Sequence, residues 1–141
     1  MYADLEHRWR SPTSEAMHAL AKQLGLAPPP LAYDWHYAVA DSARIEDFVV
    51  AYENLSLSDD EKFTLMEVIL NSVIDAADTA ILESHLWKNI LLLIENNIAL
   101  HIYSVWYYSS VEQENIEDAW CIAPWMRKIL LRHQEQFAQP M

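Results

Sequence analysis

A single glycine, Gly25, serves this chain of 141 residues. Tight hairpins draw on glycine for backbone with positive φ, so a strand-and-turn architecture has almost nothing to turn with. The apolar pattern points the same way. Met17, Leu20, Ala21 and Leu24 recur at helical spacing, and Gly25 falls where a left-handed C-cap belongs. Ser11-Pro12 supplies a cap and a first-turn proline ahead of them. The expected fold is all-α: one helical domain, residues 1–141, built as a bundle of about five helices. Residues 1–10 form a charged, flexible leader within it, and a Pro-rich connector follows the first helix.

The connector is LAPPPLAYDW, whose three prolines remove three backbone donors and favour an extended polyproline-like bridge. Asp34 is placed to cap the short segment WHYAVA. After Asp41-Ser42, residues Ile45, Phe48, Val49 and Tyr52 share one helical face, with Glu46, Asp47 and Glu53 opposite. Ser58 followed by Glu61 fits a capping box, and Asp59 and Asp60 suit the positive end of the helix dipole. Behind them Phe63, Met66, Ile69, Leu70, Val73 and Ile74 form an apolar stripe. The row Glu67, Asn71, Asp75 and Asp78 is expected on the opposite, outer face. Ser84 caps a further segment that runs through Leu86, Ile90, Leu93 and Ile94, and either continues to Tyr108 or breaks at Asn96-Asn97. The run HIYSVWYY also suits a strand, though no second strand pairs with it. A last helix opens at Pro124 and carries Met126, Ile129, Leu130 and His133, with Arg127, Lys128 and Arg132 as a basic patch.

Charge limits the partners. There are 21 acids against 9 lysines and arginines, a formal net of −12. Between Asp41 and Glu83 stand eleven acids and two bases, Arg44 and Lys62, a local net of −9. Such a field repels nucleic acid and anionic membrane and speeds encounter with basic proteins. The opening MYADLEHRWR holds no apolar block of signal-peptide type, and the longest apolar run, Ile90 to Ile94, stops at Glu95-Asn96-Asn97. With the lone Cys121 unable to form an internal disulfide, a cytoplasmic setting is expected.

Familiar catalytic patterns are missing. His7, His18, His36, His85, His101 and His133 show no HxxxH pair, and Glu-x-x-His occurs once, at Glu15–His18, where a di-iron bundle needs it on two helices. Gly25 alone cannot build a phosphate-cradling loop. Cys121 lies between Trp120 and Ile122 and is expected to be buried and inert, a Cys121–His101 dyad being the sharper alternative. No cofactor and no metal are expected. Tyr103, Trp106, Tyr107 and Tyr108, with Trp120 and Trp125, form an aromatic cluster suited to core packing. Tyr107 and Tyr108 point differently on a helix, so one of them is expected at the surface.

The run RIEDFVVAYENLSLSDDEKFTLMEVIL, Arg44 to Leu70, together with the acidic balance and helical character, resembles the small acidic immunity proteins that bacteria make against secreted toxins. The resemblance implies a cytoplasmic inhibitor that binds a basic toxin or effector one to one, often through an acidic surface. The residues expected to meet that partner are Glu46, Asp47, Glu53, Glu67, Asp75 and Asp78, with Tyr107 and Tyr108 as anchors. The protein itself is expected as a monomer or weak homodimer. Two other readings compete: a self-associating module that sets the basic last helix against the acidic middle, and an enzyme with a carboxylate or histidine site.

Overall fold

The computed structural model describes residues 1–29, 34–76 and 79–139. Among them the regular structure is helical throughout, with no strand. The contacts group into two compact units, Ser11–Ile81 and Met1–Arg10 with Leu82–Met141. Such grouping occurs within one domain as well as between two, so the single domain stays an expectation.

The first unit is organised around its longest helix. It contains α1 (Ser14–Leu24), α2 (Trp35–Ala38), α3 (Ile45–Asn54) and α4 (Asp59–Ala76). A short helix, α5 (Thr79–Leu82), lies where the two units meet in sequence. The capping box starts α4: Ser58 Oγ accepts from the Glu61 amide at 3.2 Å, and Glu61 Oε1 accepts from the Ser58 amide at 2.9 Å. From Phe63 to Val73 every residue is buried, and α1, α2 and α3 all pack against this helix. A helix that is apolar nearly all round belongs inside. The outer face expected for α4 is therefore absent at Glu67 and Asn71.

The start of α1 also differs from expectation. Thr13, and not Ser11, accepts from the Ala16 amide at 3.2 Å. The end agrees: Gly25 has φ 64°, and the Leu26 amide donates to Ala21 O at 2.9 Å. Arg44 donates to Leu24 O at 3.1 Å, adding a charged donor to the same terminus. Asp34 stands at the start of α2 but makes no side-chain cap bond there. Of the Pro-rich connector, residues 30–33 lie outside the described residues.

The second unit holds α6 (His85–Asn96), α7 (Ile98–Ser109) and α8 (Ala123–His133). Ser84 Oγ accepts from the Trp87 amide at 3.2 Å, as its position foretold. The long apolar segment breaks at Asn97, whose φ −126° and ψ 41° leave the helical region. HIYSVWYY is helix. That break, with the single turns α2 and α5, raises the helix number among the described residues to eight from the five expected. Trp87, Ile90 and Ile94 of α6 are buried with Ile102, Val105 and Tyr108 of α7 and Met126, Ile129 and Leu130 of α8. Residues 1–10, read as a leader, carry a buried Leu5. His7 Nε2 stands 3.0 Å from Phe137 O, and the Ala3 amide donates to Gln134 Oε1 at 2.7 Å.

His36 is 8% exposed, and its Nδ1 has no partner among the described residues. Burial lowers its pKa from the ordinary 6.5, with Asp34 acting in the opposite direction. The unfolded chain thus takes up a proton at a pH where the folded chain does not. Stability from this group is complete above 6.5 and falls as pH drops below it. Urea melts at neutral and mildly acidic pH will show that loss, and His36→Gln will lack its share of it.

Two helices end in left-handed backbone, at Gly25 and at Ser110 with φ 51°. Among the described residues, none beyond its chain neighbours lies within 4 Å of a Cβ added to Gly25, so Gly25→Ala tests conformation. It will cost about 1 kcal/mol in urea unfolding, while Ser110→Gly will gain a similar or smaller amount.

Candidate functional site

The acids divided by the sequence into caps and surface sort differently in space. Glu46, Asp47 and Glu53 are exposed on α3, with Val50 half exposed among them. Glu46 and Asp47 lie in its first turn, where the helix dipole favours them, but Glu53 lies in its last turn, where it does not. Asp47 is 3.6 Å from Arg44. Asp75 is exposed on α4. Glu67, 7% exposed, cannot meet a partner as expected: α4 is enclosed there, and Asn71 Nδ2 donates to Glu67 O at 2.8 Å. The signal was present in Leu65 and Val68, apolar residues outside the assumed stripe that show α4 has no polar side at this level. Asp78 lies outside the described residues.

The aromatic cluster forms a site of its own in the second unit. Tyr103, Trp106, Tyr107 and Trp120 line a cleft of about 490 Å³. Tyr103 stands 5.7 Å from Trp106 and 6.3 Å from Tyr107 between ring centroids. Tyr107 is 42% exposed, as an anchor requires, whereas Tyr108 is 1% exposed and belongs to the core. The reason is helical phase: Tyr108 follows Ile102 and Val105 on the buried side of α7. It meets Trp120 edge-on at 5.9 Å and so supports the cleft from beneath. The Trp106 indole N–H is buried without an acceptor among the described residues, so this wall offers its ring and withholds its donor.

Glu6, Glu112 and Asp118 also line the cleft, and among the described residues no lysine or arginine does. Arg127, on α8, is otherwise engaged. Its Nε donates to Ser109 O at 2.7 Å, and Nη2 donates to Ser110 O at 2.8 Å and Gln113 O at 3.2 Å. These bonds satisfy carbonyls at the end of α7 and fix the turn that carries Val111, Glu112 and Gln113 into the cleft wall. Arg132 is likewise paired, with Glu95 at 2.7 Å. The sequence hid this cleft because Glu6 comes from a segment more than 100 residues before the loop that carries Glu112 and Asp118.

Cys121 is exposed, which corrects the buried cysteine expected from its neighbours; only Ile122 beside it is enclosed. Partial burial still raises the thiol pKa, so the group is not activated as a thiolate. His101 is buried at 1% exposure, so the proposed dyad would join an enclosed ring to an exposed thiol. Tyr52 is pushed up to about 12 by burial, with Asp59 adding to the effect. No group of three or more His, Cys, Asp or Glu able to hold a metal occurs among the described residues. No helix among them is long and apolar enough to cross a membrane. Comparison with protein families, curated proteins and solved structures finds no match to this chain.

Replacing the Arg127 fork will show what it holds. Arg127→Ala will destabilise the protein by about 2–4 kcal/mol, since hydrogen bonds from a charged donor contribute about 1.5–3 kcal/mol and the carbonyls are left to find water. Arg127→Lys will recover little, because an ammonium lacks the planar fork. Urea denaturation followed by tryptophan fluorescence measures both.

Proposed function

We propose that this chain is a protein-binding inhibitor, an immunity protein that neutralises a basic toxin or effector by direct contact. The observation that carries the reading is the disposition of charge. Exposed acids on α3 and at Asp75 stand on a chain of formal net −12, while Arg44, Arg127 and Arg132 are taken up by helix ends and Glu95. The negative field is therefore left to steer a basic protein. Tyr107, half exposed beside the acidic cleft, has the residue type that anchors interfaces. The unactivated thiol of Cys121 supports binding over nucleophilic catalysis at that residue.

A self-associating module would need the cations of α8 to meet acids of a second copy. Arg127 and Arg132 already have partners within the chain, leaving Lys128. Sedimentation at low and high salt will accordingly return a monomer in both.

Association with the basic partner will slow about tenfold at low salt in the double variant Glu53→Lys, Asp75→Lys, and much less at high salt. Stopped-flow mixing with the partner captured from the native host measures this, alongside a melt to establish that folding is kept. Equal association rates for variant and parent would remove the acidic surface from the mechanism.

A further inference from the structure

The geometry points to the aromatic cleft of α7 as a receptor for an arginine side chain. The volume of about 490 Å³ falls within the range of small-ligand pockets, roughly 300–1,000 Å³. It exceeds the needs of one side chain, so residues flanking the arginine enter with it. Tyr103, Trp106 and Tyr107 bring three aromatic rings to the lining, and a cation over the face of such a ring is drawn by its quadrupole. Glu6, Glu112 and Asp118 supply negative charge with no cation paired to them among the described residues.

That pairing of surfaces selects the occupant. An anion meets three carboxylates and no base. A neutral apolar group satisfies the rings and leaves the charges idle. A guanidinium answers both, because it stacks flat on an aromatic ring while its edge forks onto a carboxylate. Lysine is a poorer fit, since its ammonium is compact and strongly hydrated. The indole N–H of Trp106 is enclosed, so recognition is by ring face and rim charge. That the arginine belongs to a protein partner rests on the proposed function, whereas the binding chemistry does not.

The test uses the intact protein labelled with nitrogen-15 and the peptide acetyl-Gly-Arg-Gly-amide. Its control is the same peptide with citrulline, which keeps the shape and loses the charge. The indole signals of Trp106 and Trp120 will shift and saturate in the millimolar range. The signal of Trp35, a buried donor to Ala27 O at 2.8 Å, will stay still. Citrulline will bind about tenfold more weakly, as will the arginine peptide to Glu112→Gln, Asp118→Asn. Both substitutions keep side-chain shape at exposed positions, so a melt matching the parent isolates charge from folding. Equal response to citrulline, a matching shift at Trp35, or no saturable shift overturns the proposal. So does a basic partner whose affinity is unchanged by the two substitutions, and in that case the proposed function stands without the cleft. Arginine-peptide binding by a chain that captures no basic protein gives the opposite separation.

Discussion

Arg127 spends its guanidinium on backbone. Two carbonyls at the end of α7, those of Ser109 and Ser110, and one in the following turn, that of Gln113, all accept from one charged fork on α8. The bond set joins the two helices that pack most closely in their unit, and it gives Ser110 a reason to hold left-handed backbone without being glycine. It also aims the following residues at the cleft. A chain with one glycine needs such substitutes, since its helices cannot all close with the residue best suited to the task.

The same economy sets the electrostatics. Arg44 serves α1 as Arg127 serves α7, and Arg8 lies over the Phe137 ring at 5.2 Å. Arginine is thereby employed as a structural donor, while Asp75 and the acids of the cleft are exposed and Asp47 of α3 stands 3.6 Å from Arg44. The negative character of this surface is thus a result of how helix ends are satisfied as much as of how many acids the chain contains.

Much of this was legible from local rules. Gly25, the Ser58–Glu61 box, the Ser84 cap and the opening of α8 at Pro124 each follow from a residue acting within one turn of itself. What escaped was non-local. Glu67 is placed by helices packing on every side of α4, and a stripe drawn from one helix cannot register neighbours that arrive from elsewhere. Cys121 failed for the reverse reason: apolar neighbours in sequence did not become a lid in space. Of the candidate interface, Glu46, Asp47, Glu53, Asp75 and Tyr107 are exposed as required. The cleft itself depends on residues 6, 112 and 118 converging, which no spacing rule foretells.

The hydrogen bonds of Arg127 span 14 to 18 positions, whereas those joining Ala3, His7 and Arg8 to Gln134 and Phe137 span 129 to 131. Ring-closure entropy grows with the length enclosed, so the first set forms cheaply and the second only once most of the polypeptide is ordered. Assembly should therefore begin with the α7–α8 hairpin and finish by suturing the two ends, which makes the amino-terminal turn the part that peels away first under load.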